Sequence, residues 1–128
     1  KTVEDIMIKG NKIPFVNENL KTSRALKILS EKKLGILVVR DKKNKTKGIV
    51  TDGQIRRVSQ KDANFQNLLV KEIMTKKPIF IDSNVLAAKA LALMNNKKIT
   101  SLLVCNKKKP YLTIGVIHVH TILQSNIS

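Results

Sequence analysis

The four residues Thr51-Asp52-Gly53-Gln54 bring a hydroxyl, a carboxylate and a carboxamide together where an apolar strand pattern gives way to a helical one. The first backbone amides of a helix have no partner inside it and point outward, so such a turn can hold an anion or a ribose hydroxyl. Capping of the helix by Thr51 or Asp52 explains the same residues without a ligand. The residue types leave both interpretations open.

Two arginines, Arg56 and Arg57, follow in the first turns of the same predicted helix. A cation near the N-terminus of a helix opposes the helix dipole. The pair therefore indicates a negatively charged partner, which is a ligand phosphate or carboxylate or an acidic side chain across a subunit interface. An ordinary exposed pair is the alternative.

Two imidazoles, His118 and His120, alternate at the end of a strand pattern, so both can face the same way. Such a pair can ligate zinc or copper, but no third ligand is near, because Cys105 belongs to a different predicted strand. We therefore expect no metal and no cofactor. Cys105 itself is expected to be a small buried hydrophobic residue.

The segments around these residues occur twice. Residues 4–7 (EDIM) recur as 71–74 (KEIM), and residues 48–50 (GIV) recur as 115–117 (GVI). These segments recur at an offset of 67, whereas residues 25–26 (AL) recur as 90–91 at an offset of 65, because the loops differ in length. Self-similarity whose offset changes only in loops is typical of a duplicated fold.

Each of the two predicted repeats, 1–62 and 63–128, contains a short extended piece, a helix, a buried strand, a polar turn, a further strand and a second helix. The apolar runs 35–39 and 101–105 are typical of strands covered on both faces. The predicted fold class is α/β (α+β), with two small sheets related by a pseudo-twofold axis and flanked by helices.

Polar residues precede the first helix of each repeat and are candidates for its cap. In the first repeat they are Thr22 or Ser23, and in the second Asp82 or Ser83, ahead of a helix over 85–95. The side chains of this second helix that we expect to point inward are Leu86, Ala90, Leu93 and Met94.

This order of elements, with an IM pair near each start and a GIVT strand opening the last helix, resembles a tandem pair of CBS domains, the Bateman module. Residues 48–57 (GIVTDGQIRR) are similar to the G-I-F-T-D-G-D-L-R-R segment of bacterial D-arabinose-5-phosphate isomerases of the sugar isomerase family. Residues 99–104 (ITSLLV) and 115–123 (GVIHVHTIL) are similar to two further segments of that family's C-terminal region. The resemblance runs from Val3 to about residue 127.

The resemblance implies a ligand pocket in the cleft between the repeats. In nucleotide-binding CBS domains a Thr or Ser contacts phosphate and an Asp three residues later holds the ribose; here Thr51 is present, but Gln54 replaces the aspartate. The corresponding pair in the second repeat is His118 and Thr121. The ligand-binding set implied by the resemblance and the turn chemistry is Thr51, Asp52, Gln54, Arg56, Arg57, Thr75, Lys76, Thr100, Ser101, His118, His120 and Thr121.

The same resemblance implies a regulatory role and no catalysis by these residues. The sugar-isomerase catalytic domain is expected to precede residue 1, in a parent enzyme that interconverts ribulose 5-phosphate and arabinose 5-phosphate for Kdo and lipopolysaccharide synthesis. Because both ribose carboxylates are replaced, CMP-Kdo is the sharper candidate effector, with AMP or ATP as the looser one. CBS pairs commonly form homodimers, and the family implies tetramers. The alternative is a purely structural oligomerisation module with decayed ligand sites.

A net charge of +16 and a sequence pI near 10.2 raise a second alternative, a basic nucleic-acid-binding protein. Lysine, isoleucine and asparagine all have A/T-rich codons, so compositional drift explains the charge equally well. Aromatic residues make up only 3%, too few for base stacking. We therefore expect no nucleic acid as partner, and we expect the lysines of the turns 42–47 and 107–109 to lie on solvated hairpin tips.

The remaining composition narrows the class of protein. No apolar run approaches the roughly 20 residues that span a bilayer, and the N-terminal residues lack the pattern of a signal peptide, so we expect no membrane contact. A single cysteine cannot form an internal disulfide, which favours a cytoplasmic location.

Overall fold

The computed structural model describes residues 1–125 of the chain. The helices of this part are α1 (Val3–Ile6), α2 (Thr22–Lys32), α3 (Asp52–Lys61), α4 (Val70–Ile73), α5 (Ala87–Lys97) and α6 (Val119–Gln124). Its strands are β1 (Ile8–Lys9), β2 (Phe15–Asn17), β3 (Ile36–Arg40), β4 (Thr46–Thr51), β5 (Phe80–Asp82), β6 (Ser101–Cys105) and β7 (Gly115–His118). Single turns of 3-10 helix lie at Gly10–Lys12 and Phe65–Asn67.

The chain divides into two compact units. The central unit is Pro14–Pro78, and the terminal unit combines Lys1–Ile13 with the chain from Ile79 onward. Each unit holds one small sheet and its own helices, which confirms the predicted fold class.

The sheet of the central unit has the strand order β2-β3-β4. Strand β2 is parallel to β3, with Phe15 opposite Val38, and β3 is antiparallel to β4, with Ile36 opposite Thr51. Alternate residues of these strands face a core shared with α2 and α4. Its buried members are Val16, Ala25, Leu29, Leu37, Val39, Val50, Val70 and Ile73.

The sheet of the terminal unit has the order β1-β7-β6-β5. Strand β5 is parallel to β6, and β7 is antiparallel to both β6 and β1. Helices α1, α5 and α6 supply the rest of its core. The buried members are Val3, Ile81, Ala90, Met94, Leu102, Val104, Ile117 and Ile122.

Each unit takes its short opening helix from the other sequence repeat: α1 packs in the terminal unit and α4 in the central unit. Glycines accommodate the methionines that end these helices. A Cβ placed on Gly48 would lie 2.9 Å from the Met74 sulfur, and one on Gly115 would lie 3.0 Å from Met7 Cγ. The structural units therefore do not coincide with the predicted sequence repeats, and the repeat boundaries 1–62 and 63–128 stay a prediction. Residues 126–128 lie outside the described part.

The predicted caps of α2 and α5 are wrong. Neither helix receives a hydrogen bond from a capping side chain. Thr22 is buried inside the start of α2 and its hydroxyl donates to the Leu68 carbonyl at 2.9 Å. Asp82 instead accepts the backbone amides of Asn84 and Lys107, both at 3.0 Å.

The prediction that Leu86 points inward is also wrong, since its side chain is 53% exposed. Helix α5 begins at Ala87, two residues later than predicted, because the preceding backbone is hydrogen-bonded to the N-terminal segment. Val3 N–H donates to the Val85 carbonyl at 2.8 Å, and Ala87 N–H donates to the Lys1 carbonyl at 2.9 Å. Pairing with a distant segment therefore decides where this helix starts.

Candidate functional site

The turn that opens α3 lies at the C-terminal end of β4 in the central unit. Thr51 is the N-cap, and its hydroxyl accepts the Gln54 backbone N–H at 3.3 Å. Asp52 occupies the first helical turn with an exposed side chain, where its charge suits the helix dipole. The structure confirms the capping role of Thr51, and its contact with a ligand stays a prediction.

Gln54 is the residue of this turn whose hydrogen bonding is incomplete. Its side-chain Nε2 donates to the main-chain carbonyl of Ile73, the last residue of α4. Its Oε1 is buried and has no hydrogen-bond partner among the described residues. Because Nε2 is held by Ile73, the amide cannot turn over without losing that bond, and a buried acceptor stays open.

Thr75 is brought beside the same turn by a pair of backbone hydrogen bonds. Its N–H donates to the Ile49 carbonyl at 2.8 Å, and Ile49 N–H donates to the Thr75 carbonyl at 3.0 Å. Ile49 is two residues before Thr51 on β4. The exposed side chains of Thr75 and Lys76 therefore lie in the central unit, on the segment that pairs with β4 just before Thr51.

The two arginines of α3 are exposed, and one of them folds back over the start of the helix. Arg57 Nη1 would lie 3.5 Å from a Cβ on Gly53, one turn earlier. This direction follows from the tilt of helical side chains toward the N-terminus. The guanidinium thus adds its charge to the positive end of the α3 dipole, which makes the turn favourable for an anion.

The histidine pair occupies the equivalent turn of the terminal unit. His118 ends β7 and caps α6, its Nδ1 accepting the His120 backbone N–H at 3.1 Å. The two rings stack with centroids 4.9 Å apart and planes inclined by 22°. The predicted alternation along one strand is wrong, because His120 lies in α6; the cap, not the strand pleat, brings the rings together.

Burial lowers the pKa of His118 below its ordinary value, and the neighbouring His120 lowers this pKa further. The neutral imidazole is also the form that can accept the His120 amide. Capping and burial therefore favour the same protonation state.

The other predicted residues of this unit lie next to the pair. Ser101 is opposite His118 in the β6–β7 register, and the Thr100 carbonyl accepts the Val119 N–H at 2.9 Å. Thr121 is half-buried in α6. The sequence analysis missed Ile8 and Lys9, which pair with β7. Their position after Met7 corresponds to that of Thr75 and Lys76 after Met74, so the repeat could have identified them.

Residues 1–125 contain neither a metal-binding cluster nor a membrane-spanning helix. No three side chains of the types His, Cys, Asp or Glu in this part are grouped as a metal ion would require. None of its helices has the length and apolar character needed to cross a membrane.

Comparison with known proteins identifies the family. The family model for the CBS domain matches residues 3–61 and 70–127. The chain belongs to the CBS domain family. Two solved CBS pairs share its fold. CBSX2 of Arabidopsis thaliana has a TM-score of 0.81, with 21% identity and coverage of 97% of this chain and 92% of that one. The CBS pair of protein MJ0100, in complex with 5′-methylthioadenosine and S-adenosyl-L-methionine, has a TM-score of 0.85, with 22% identity and coverage of 98% and 94%.

Curated relatives extend the comparison to longer proteins. The chain is 35% identical over 125 residues to the arabinose 5-phosphate isomerase KdsD of Yersinia pestis and 37% identical to that of Salmonella typhimurium. It is also 34% identical over 126 residues to the uncharacterized protein RP505 of Rickettsia prowazekii. In these alignments 98% of this CBS pair is covered, and it spans only 37% to 38% of the relatives' length. The predicted resemblance to the C-terminal region of the isomerases is confirmed.

Proposed function

We propose that this CBS pair is the regulatory part of an arabinose-5-phosphate isomerase and binds an anionic nucleotide or nucleotide-sugar. The curated isomerase relatives support the parent activity, because they match along nearly all of the chain. In this proposal the reaction itself is carried out by a part of the parent enzyme that this chain does not cover. The CBS pair would sense a metabolite and transmit its presence.

The observation that carries this proposal is the open acceptor of Gln54. A buried oxygen without a hydrogen bond costs roughly 1–3 kcal/mol, and a ligand that displaces the atoms covering it and donates to it recovers part of that cost. Oε1 therefore calls for a hydroxyl or amino group on the ligand. The cations Arg57 and Lys76 and the start of α3 suit the ligand's negative charge.

The choice between effectors rests on the two ribose-reading positions. A carboxylate there would accept two hydroxyl hydrogen bonds with charge assistance, whereas Gln54 is neutral and offers a single free oxygen. Thr121 is likewise uncharged. We therefore favour CMP-Kdo over AMP or ATP, although AMP is the ligand named for CBSX2 and adenosine derivatives are those named for MJ0100.

Titration calorimetry of the chain with CMP-Kdo, AMP and ATP tests the proposal. The variant Gln54→Met keeps the side-chain length and removes both hydrogen-bonding atoms, while Gln60→Met makes the same change at an exposed position of α3. We expect saturable binding of CMP-Kdo that is at least tenfold weaker in Gln54→Met and unchanged in Gln60→Met. Absence of heat and of any melting-temperature shift with all three ligands would contradict it.

A structural oligomerisation module is the second candidate. In the described part of the terminal unit, three large apolar side chains, Leu86, Tyr111 and Leu123, are 53%, 49% and 62% exposed, and such side chains are candidates for contacts with a second copy. Homodimers of the CBS pair, and tetramers of a cytoplasmic parent enzyme, are part of our proposal. Light scattering should give a dimer mass that Leu123→Ser lowers to the monomer, with Ala92→Ser as the control.

A further inference from the structure

A second donor-rich site lies at the opposite end of the central sheet. A hollow of about 250 Å³, here called the hairpin hollow, is formed by residues 15–17 on one side and by Arg40, Asp41, Lys42 and Asn44 on the other. In the β3–β4 register Arg40 is opposite Thr46, whereas Thr51 is opposite Ile36. Four residue steps of a strand, about 13 Å, thus separate the hollow from the Thr51 turn.

The guanidinium of Arg40 is the central cation of the hairpin hollow. It stacks on the ring of Phe15, with its central carbon 3.8 Å from the ring centroid. Stacking holds the flat group in place while its N–H edge stays available. Among the described residues it has no hydrogen-bond or ion-pair partner, so this half-buried cation is oriented but unmatched.

Two turns fix the walls on either side of it. Asn17 Oδ1 accepts the Asn19 N–H at 2.8 Å, which leaves the side-chain NH₂ of Asn17 as a donor. Asp41 Oδ1 accepts the N–H groups of Lys43 and Lys45 at 2.9 and 3.0 Å, and Asn44 completes that turn with a φ of 66°. The hollow is therefore ordered before any ligand arrives.

The balance of charge and donors favours an anion with several oxygens. The lining residues Arg40, Lys42 and Asn17 carry N–H donors and come from β3, the loop and β2, and Asp41 is the acidic side chain among the lining residues. One of its carboxylate oxygens, Oδ1, already accepts two loop amides. Lys43, Lys45 and Lys47 continue the positive loop, so the net field at the hollow is positive.

The duplicated unit lacks this arrangement. The aromatic ring is kept as Phe80, but the pair Asn17–Arg40 is replaced by Asp82–Cys105 at the matching register. Asp82 accepts the amides of Asn84 and Lys107 and puts a negative charge where the central unit has an amide. The stacking of an arginine on the aromatic ring therefore occurs in the central unit and is not a general feature of the fold.

We propose that the hairpin hollow binds the phosphate group of a small phosphate monoester. A tetrahedral phosphate presents three terminal oxygens in different directions, which matches donors arriving from β2, β3 and the loop. A carboxylate offers two coplanar oxygens and leaves one of these donors unmatched. The ligand's phosphate sits against Arg40 and Lys42, and its remainder occupies the open part of the hollow.

Titration of the ¹⁵N-labelled chain with glycerol 3-phosphate tests this, with chloride replaced so that the ionic strength stays constant. We expect saturable shifts of the 42–45 amides, at least tenfold weaker binding in Arg40→Gln and in Lys42→Gln, and no change in Lys108→Gln. The last variant removes the same charge from the loop of the terminal unit. Arg40→Gln also removes the stacking on Phe15 and can unfold the chain. In that case Lys42→Gln, which leaves the stacking in place, still tests the proposal.

Three results would overturn the proposal. Shifts that never saturate, or that are as large at residues 107–109, would show general attraction to lysines. Equal affinity for acetate would show a carboxylate site. Binding at the proposed effector site would shift the amides of residues 51–54, at the other end of the sheet. The amides of residues 42–45 therefore test the hairpin hollow separately from the effector site.

Discussion

The side-chain amide of Gln54 donates to the main-chain carbonyl of Ile73 and so joins α3, which closes the first sequence repeat, to α4, which opens the second. The bond lies within the central unit, where both helices pack. A ligand group that donates to the Gln54 Oε1 would therefore bind the same side chain that holds Ile73, two residues before Thr75. The proposed effector site would thus be connected through this hydrogen bond to the chain between the repeats.

Replacing Gln54 by Glu should destabilise the central unit in a pH-dependent way. At pH 8 the carboxylate of the glutamate would face the Ile73 carbonyl. The hydrogen bond would be lost and the two oxygens would repel each other, which lowers the free energy of unfolding by about 1–3 kcal/mol. Burial and the carbonyl raise the pKa of such a glutamate, so the loss should shrink on acidification as the carboxyl protonates and donates. Urea unfolding at pH 8 and pH 5 measures this.

The matched control for that change is Gln60→Glu, on the exposed side of α3. It adds the same charge to the same helix without meeting a carbonyl. Equal unfolding free energies for the two variants at pH 8 would mean that the Gln54–Ile73 bond contributes nothing.

Gly48→Ala and Gly115→Ala should each destabilise the unit that contains them. The new methyl group would meet Met74 and the Thr75 carbonyl in one case, and Met7 and the Ile8 carbonyl, at 3.1 Å, in the other. Overpacking of this kind costs about 1–3 kcal/mol. Thermal unfolding should show lower midpoints for both variants.

Gly53→Ala provides a control of opposite sign, because its methyl group would meet only the flexible end of Arg57 at 3.5 Å within the described residues. An alanine in α3 also favours the helix. A midpoint at or above that of the unsubstituted chain is expected; a loss as large as that of Gly48→Ala would show that crowding is not the cause.

Stability should depend on the protonation of His118. Its pKa is lowered in the folded chain, chiefly by burial, from an ordinary value of 6.5. The contribution of the neutral cap is therefore complete above about pH 6.5 and is lost as the pH falls through the lower folded pKa. The melting temperature of the chain should decrease over this range.

His118→Asn should flatten that decrease, because asparagine caps a helix without titrating. His120→Asn, which removes the exposed partner of the stacked pair, should keep most of the pH dependence. Identical slopes for His118→Asn and the unsubstituted chain between pH 7.5 and 5 would refute the protonation argument.

Local patterns in the sequence were sufficient for some elements. The apolar runs at 35–39 and 101–105 became β3 and β6, and the residues after GIV and GVI became helix starts in both units. The family motif also located the Thr51 turn. These features depend on neighbours in the chain or on the duplication, both of which are visible in the residues.

What the sequence could not supply depends on pairing between distant segments. Thr2 bridges Leu86 and Lys21 bridges Leu69, and these contacts shift the starts of α5 and α2 away from their predicted caps. The two-residue strand β1 exists only because β7 lies beside it. Likewise, no local pattern showed that Ile73 would hold Gln54 or that Phe15 would lie under Arg40.

Thr22 provides a last test of such distant pairing. Its buried hydroxyl donates to the Leu68 carbonyl, which also accepts the Thr22 backbone N–H at 2.8 Å. Thr22→Val removes one of the two bonds and leaves the carbonyl satisfied, so the expected loss is about 1 kcal/mol, within the usual value of one hydrogen bond. Thr22→Ser keeps the hydroxyl, so its free energy of unfolding should fall by less than that of Thr22→Val. A valine variant as stable as the unsubstituted chain in urea unfolding would mean that this buried hydroxyl does not tie α2 to the segment before α4.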